Sequence, residues 1–218
     1  MLVKDCMTRH PVMISPTTKA AEAENIMTEN KVRHLPVVGS GKRLEGLVTR
    51  QSLAIKPDLL GSLNVWEITR YLANLTVKQV MVRAGEVVTI GPDKTIERAA
   101  RTMSENKIGC LPVIDDGVVV GIITEIDLMN AFQIMLGLPA SGVRVTVRMP
   151  NKSGEFAKLT AALSSNHWGV MGIGSFPSPR MDGFYDVVLK IPEADAEAVK
   201  SALSQIQGQE VVDIRASV

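Results

Sequence analysis

The chain has 218 residues, 45% apolar and only 4% aromatic, so it can build a buried core, and that core must come from Val, Ile, Leu, Met and Ala. Its 24 basic side chains nearly balance 23 acidic ones, for a formal charge of +1, which argues against the electrostatic footprint of a protein that grips DNA, RNA or an anionic membrane. Two cysteines, no apolar run of signal-peptide length and none of the roughly 18 to 20 residues that span a bilayer predict a cytoplasmic protein without a disulfide framework.

In chain order, the first feature is an internal repeat. Val3-Lys4-Asp5-Cys6-Met7 returns as Val77-Lys78-Gln79-Val80-Met81, and VMISP (12–16) returns as VTIGP (88–92). Met27-Thr28-Glu29-Asn30-Lys31 returns as Met103-Ser104-Glu105-Asn106-Lys107, and Leu35-Pro36-Val37-Val38 as Leu111-Pro112-Val113-Ile114, all at an offset of about 75 residues. The copies occupy residues 1–56 and 76–137. Each reads β-α-β-β-α. A short β run precedes a Pro. In the second copy Asp93 or Thr95 can cap a helix whose apolar positions Ile96, Ala99, Ala100 and Met103 recur at helical spacing. Leu-Pro-Val-Ile and Val-Val-Val-Gly-Ile-Ile then read as buried strands around the turn Asp115-Asp116-Gly117, and a second helix ends near Gly137.

Residues 57–75 connect the copies. Asn64 with Glu67 predicts a capped start for a helix from Val65 to Leu75, with Trp66, Ile68, Leu72 and Leu75 covering a core or a partner. After a linker at 138–142 the pattern changes. Val143 to Met149 alternates as a half-solvated strand does, and Pro150 to Gly154 is a turn. Phe156, Leu159, Ala162 and Leu163 mark a helix face. Val170–Phe176 and Tyr185–Ile191 read as strands, Ala194–Ile206 as a helix and Val211–Ala216 as a last strand. The order β-α-β-β-α-β over 143–218 is ferredoxin-like, so the chain as a whole is α+β.

The sharpest motif closes the second copy: Gly121-Ile-Ile-Thr124-Glu-Ile-Asp127. Thr124 at a helix start can meet an anion beside free N–H groups, and Asp127 one turn in can accept hydrogen bonds from two sugar hydroxyls. The same Thr-x-x-acid spacing is also a helix cap that needs no ligand. The first copy keeps Thr49 but has Ser52 for the acid and Arg50 for Glu125, which predicts a weaker or altered second site. The chain has no Cys-x-x-Cys or His-x-x-x-His spacing for zinc, no phosphate-cradling Gly loop and no Gly-x-Ser-x-Gly, so no catalytic constellation or metal site is expected.

The repeats resemble tandem CBS domains, carried by Val3–Met7, the Pro16 and Pro92 strand ends, Leu-Pro-Val and Gly-h-h-Thr-x-x-Asp. The tail resembles an ACT domain, and the order of the three is similar to that of bacterial acetoin-utilisation-type proteins. The resemblance implies a pseudo-twofold CBS pair that regulates rather than catalyses. An adenine-containing ligand such as AMP, ADP, ATP or S-adenosylmethionine would lie between the sheets, with Thr124 at phosphate and Asp127 at ribose. Thr49 would serve a second site. The basic pair Arg33 and His34 would lie near phosphates, with Arg9 and His10 as further candidates. Met13, Ile14, Thr89 and Ile90 would line the base pocket, with Gly109 and Cys110 beside the ligand. In the tail, Asn151, Ser153 and Gly154 mark where ACT domains take a small molecule, although Ser153 stands where the family often has Pro. A homodimer is expected, with no nucleic-acid or membrane partner. The rival reading is a scaffold whose clefts bind nothing.

Overall fold

A computed structural model describes residues 1–53, 66, 70, 73–138 and 140–217. It divides into two compact units, Met1–Leu128 and Met129–Val218. The division falls inside a helix, upstream of the change in sequence pattern near residue 140. Most of the expected connecting helix, including Asn64, Glu67, Ile68 and Leu72, lies outside the described residues; Leu75 is buried and Trp66 exposed.

The first unit contains the repeat. Copy one supplies α1 (Val3–Cys6), β1 (Thr8–Arg9), α2 (Ala20–Glu29), β2 (His34–Val38), β3 (Leu44–Thr49) and α3 (Arg50–Leu53). Copy two supplies α4 (Val77–Val80), β4 (Val82–Arg83), α5 (Ile96–Asn106), β5 (Cys110–Asp115), β6 (Val118–Thr124) and α6 (Glu125–Met135). The strands do not sort by copy. One sheet runs β1-β6-β5 and the other β2-β3-β4, so each copy gives its first strand to the other's sheet. Thr8 pairs with Ile122 and Arg9 with Gly121; reciprocally, Arg83 pairs with Gly46 and Val82 with Leu47.

The short helices before those strands are exchanged too. The Val3 and Lys4 N–H groups donate to the Lys94 and Pro92 carbonyls at 2.8 and 2.9 Å, and those of Val77 and Lys78 donate to Thr18 and Pro16 at 2.8 and 2.9 Å. The repeated Pro thus ends a run that makes only a single bridge, at Ile14 or Ile90, in place of the expected β run, and its carbonyl accepts from the first helix of the partner copy. Val77 accordingly joins the core of copy one, with Ile14, Ala23, Met27, Leu35, Val37 and Val48. Leu47, Cys110 and Ile122 form an apolar cluster drawn from both copies.

Local chemistry settles two alternatives. Thr95, not Asp93, caps α5, accepting from the Arg98 N–H at 3.2 Å, while Asp93 pairs with Lys4 at 2.7 Å on the surface. Gly46 and Gly121, the first residues of the two Gly-h-h-Thr runs, are where the exchanged strands cross. A Cβ at Gly46 would lie 2.5 Å from the Val82 carbonyl oxygen, and one at Gly121 would collide with the Met7 sulfur.

The second unit begins with the part of α6 from Met129 onward and runs on through β7 (Gly142–Pro150), α7 (Glu155–Ser165), β8 (Gly172–Pro177), β9 (Phe184–Ile191), α8 (Ala196–Leu203) and β10 (Glu210–Ser217). Its antiparallel sheet has the order β10-β7-β9-β8. Val143, Val145, Val147 and Met149 face Leu159 and Leu163 of α7 and Val199 and Leu203 of α8. Helix α8 starts later than expected because Asp195 caps it, accepting from the Ala198 N–H at 2.9 Å, and it ends at Leu203, before Ile206. The other face of β7 is not half-solvated. Thr146 and Arg148 are buried there with Asp186 and Lys190 of β9. Arg148 holds Asp186 through two bonds of 2.8 and 3.0 Å, which keeps the buried carboxylate ionised and its pKa below the ordinary value. The opposite charges of Arg148 and Asp186 thus meet in register across β7 and β9, which lets that pair be buried.

Substituting Gly46→Val or Gly121→Val is predicted to destabilise the protein by about 1–3 kcal/mol, because the crossing backbone has no room to yield. Gly85→Ala, which meets open space, is predicted to stay within ~0.5 kcal/mol of the parent. Chemical denaturation followed by circular dichroism measures both; equal losses at all three positions would contradict the crossing argument.

Candidate ligand clefts

The exchange leaves two clefts in the first unit, related by the repeat. The first, of about 430 Å³, lies beside Thr124 and Asp127 and includes Thr8, His10, Val12, Lys31, Val32, Arg33, His34, Ile122 and Ile126. The second, of about 360 Å³, lies beside Thr49 and includes Arg50, Val82, Val88, Lys107, Ile108, Gly109, Cys110 and Glu125. Position for position, the linings correspond: Thr124 to Thr49, Lys31 to Lys107, Val32 to Ile108, Val12 to Val88. The correspondence breaks at several points: Asp127 lines the first cleft but Ser52 does not line the second, and Arg50 and its counterpart Glu125 both line the second. Arg33 and His34 line both clefts, whereas their counterparts Gly109 and Cys110 line only the second.

Thr124 and Asp127 form a closed cap at the start of α6. The Thr124 N–H and hydroxyl both donate to Asp127 Oδ2, at 2.8 and 2.7 Å, and the Asp127 N–H reaches Thr124 Oγ1 at 3.4 Å. Ser52 repeats the arrangement in copy one: the Thr49 N–H donates to Ser52 Oγ at 3.0 Å and the Ser52 N–H to Thr49 Oγ1 at 3.1 Å. The capping reading of the motif is therefore realised in both copies. At Asp127 it engages one carboxylate oxygen and leaves Oδ1 for another donor; at Ser52 nothing equivalent remains, since the single oxygen also donates to the Thr49 carbonyl at 2.9 Å. The Thr124 hydroxyl is committed to Asp127, so an anion in this cleft must be met by the basic residues instead.

Those residues are placed by the ends of α2 and α5. Lys31 and Lys107 both adopt φ of 54°, the left-handed turn that stops a helix and redirects the chain into the following strand at the cleft mouth. The Arg33 carbonyl accepts from the Arg50 N–H at 3.1 Å and the Gly109 carbonyl from the Glu125 N–H at 3.1 Å, which ties each strand entrance to a helix start. His34 is half-buried, and desolvation followed by the nearby Arg33 lowers its pKa, so the imidazole is neutral at physiological pH. Burial, with Glu125 as a lesser cause, pushes the Cys110 thiol up to about 12, which makes it a small apolar wall residue and not a nucleophile at neutral pH.

Of the residues singled out from sequence, Thr124, Asp127, Arg33, His34 and His10 gather at the first cleft, and Thr49, Arg33, His34, Gly109 and Cys110 at the second. Met13, Ile14, Thr89 and Ile90 line neither. Ile14 and Ile90 form parallel bridges with Val37 and Val113 and are buried in the cores, and the cleft positions fall to Val12 and Val88. Arg9 turns back to the Lys4 carbonyl at 3.1 Å. The room beside Gly109 is taken by the Glu125 carboxylate, 3.2 Å from where a Cβ would sit, rather than by open cleft. Thr8, Lys31 and Lys107 were not expected at the clefts; the repeated Asn-Lys pair at each helix end was the signal for the lysines. In the second unit, Asn151, Ser153 and Gly154 stand on an exposed turn, with Gly154 at φ of 90° starting α7.

Residues 3–56 and 77–134, just over half of the chain, match the CBS domain. The chain belongs to the CBS-domain family. Its CBS pair is similar to a Vibrio cholerae protein named for acetoin utilization (AcuB), at 31% identity and a TM-score of 0.53 over 64% of this chain and 95% of that one. It is also similar to the CBS domain pair of protein MJ0100 in complex with 5′-methylthioadenosine and S-adenosyl-L-methionine, at 28% identity and a TM-score of 0.50 over 61% of this chain and 95% of that one. The CBS-pair protein CBSX2 in complex with AMP matches at 27% identity and a TM-score of 0.50, over 60% of this chain and 94% of that one. Among curated relatives, a homoserine O-acetyltransferase of Methanohalobium evestigatum is 33% identical over 60% of this chain, and the match spans only 24% of its length. The match thus spans about a quarter of that enzyme. Among the described residues, no helix is long and apolar enough to cross a membrane and no cluster of His, Cys, Asp and Glu could hold a metal ion.

The cap and the carboxylate can be separated by substitution. Asp127→Ala is predicted to cost about 0.5–2 kcal/mol in stability through loss of the cap. Asp127→Ser copies the arrangement at Ser52 and is predicted to recover most of that loss in thermal denaturation; if it is as unstable as the Ala variant, the two caps are not equivalent. Thiol labelling of the folded protein at pH 8 is predicted to leave Cys110 unmodified until denaturant is added.

Proposed function

We propose that the CBS pair is a sensor for an adenosyl ligand, held in the cleft beside Asp127. The observation that carries this reading is the free Oδ1 of Asp127 in a cleft otherwise walled by His10, Lys31, Arg33 and His34 and by apolar Val12, Val32, Ile122 and Ile126. A carboxylate suits vicinal ribose hydroxyls, the bases suit phosphate, and the apolar walls suit an adenine ring. The adenosyl ligands named for the similar CBS pairs support the same class. AMP, ADP, ATP and S-adenosylmethionine are the candidates. The cleft beside Thr49 has Ser52 where the first has Asp127 and binds such ligands more weakly.

The chain in this reading is regulatory, not catalytic, and acts as a cytoplasmic homodimer. Its parts are CBS domains at 1–56 and 76–137, a connection at 57–75, a linker at 138–142 and an ACT domain at 143–218. The β-α-β-β-α-β order and antiparallel β10-β7-β9-β8 sheet support the last assignment. The ACT domain relays the CBS signal or senses a second small molecule at the turn of Asn151, Ser153 and Gly154. Arg33 and His34 border both clefts, so an anion in one reduces affinity for an anion in the other, and the reduction is reciprocal.

Thermal shift and equilibrium dialysis with the four candidates test the proposal. At least one is expected to raise the melting temperature, since a ligand bound only by the folded state contributes about 2.7 kcal/mol at a hundred times its Kd. Asp127→Ser is expected to lose about tenfold or more in affinity while keeping its stability. Phosphate in the cleft favours the imidazolium, raising the depressed pKa of His34 in the complex, so binding takes up a proton and AMP affinity is expected to rise as pH falls through that range. A flat ligand panel would instead favour a scaffold whose clefts bind nothing.

A further inference from the structure

We propose that the face of the C-terminal sheet turned away from α7 and α8 binds a small monocarboxylate with an apolar tail. A cavity of about 290 Å³ opens on that face, walled by Leu136, Leu138, Phe176 and Val188 and by the basic side chains of Arg144 and Lys190. Its floor is set by strand register. Arg144 of β7 lies opposite Lys190 of β9, and Gly174 of β8 lies opposite Val188. Its roof is the chain that follows α6.

The roof is fixed by backbone contact. Gly137, at φ of 70°, ends the helix, and the Leu138 N–H returns to the Gln133 carbonyl at 3.0 Å. Gly172 lies so close to the Leu136–Gly137 backbone that any Cβ there would collide. Beside it, a Cβ at Gly174 would come within 3.1 Å of Leu136 Cδ2, so the glycine keeps the hollow open between roof and floor. A pre-formed space of this kind takes a ligand without reordering the chain.

The lining selects the ligand. Four apolar side chains favour hydrocarbon. Two cations favour an anionic head. Asp213 and Thr146 engage only Nη1 of Arg144, at 3.0 and 3.4 Å, which leaves the other guanidinium N–H groups for a carboxylate. The lining holds no acidic side chain. The nearby Asp213 is already engaged by both Arg144 and Arg215, so an α-amino acid would bring its ammonium beside the Arg144 guanidinium without a carboxylate of its own to meet, and a plain carboxylate is preferred. The cavity is smaller than either CBS cleft and sits at the lower edge of the ~300–1,000 Å³ range of ligand pockets, which suits a chain of about four to eight carbons. The exposed turn of Asn151 to Gly154 contributes nothing to it. The site stands independently of the adenosyl reading of the CBS clefts.

The test uses the full chain and hexanoate as probe, by calorimetry and by amide chemical shifts in ¹H–¹⁵N spectra. Saturable binding is expected with a Kd on the order of 1 mM or tighter, with shifts centred on Gly174, Phe176, Val188 and Lys190. Norleucine, which adds an α-ammonium to the same six-carbon chain, hexylamine and hexanol are expected to bind about tenfold more weakly or worse. Arg144→Met is expected to weaken hexanoate by about tenfold, and Val188→Phe to block it by filling the cavity. Should either variant fail to fold, the shift map of the parent protein decides alone. Absence of saturation, equal binding of norleucine or hexanol, or shifts confined to the CBS clefts or to residues 151–154 would overturn the proposal.

Discussion

Everything in the first unit depends on one close backbone crossing made twice. The chain at Met7–Thr8 lies over Gly121, and the chain at Met81–Val82 lies over Gly46. A side chain at either glycine would hold the exchanged strand off its sheet. With the crossing in place, Thr8 and His10 of copy one reach the cleft whose helix cap belongs to copy two, and Val82 reaches the opposite one. Each cleft is therefore assembled from both copies, and a ligand in it touches the joint between them. That is the physical basis for reading the pair as a sensor: binding energy is delivered where the two copies meet.

The two clefts show how a repeat can keep its fold while changing its chemistry. Asp127 and Ser52 make the same backbone cap, so either residue satisfies the helix start. Only the carboxylate has an oxygen left over. Similarly Arg33 and Gly109 occupy one position, and both carbonyls tie a strand to a helix start, but only Arg33 carries a charge to both clefts. Folding constrains what these positions share, and recognition lives in what they do not.

Much of this was legible in the sequence. The longer helices and the paired strands of each copy were legible because their apolar periodicity is long enough to read, whereas the runs before Pro16 and Pro92 make only single bridges, and Thr124 with Asp127 stood out by spacing alone. The exchange of β1 and β4 was not legible, since two-residue strands have no period and an offset between copies does not say which sheet a strand joins. Met13, Ile14, Thr89 and Ile90 were expected to line the clefts, but Ile14 and Ile90 bridge into the cores and Val12 and Val88 line the cavities instead. Burial of Arg148 was hidden for a different reason: its partner Asp186 lies on another strand, and charge pairing across strands leaves no local mark.

The exchanged strands also constrain how the molecule is made. Thr8 pairs with Ile122, about 110 residues further along the chain, so a nascent polypeptide emerging from the ribosome holds its leading segment unpaired until most of the second copy has been translated. Copy one cannot finish its own sheet either before β4 arrives. Synthesis and assembly thus converge late, and the N-terminal strand is the latch that closes only after both halves exist.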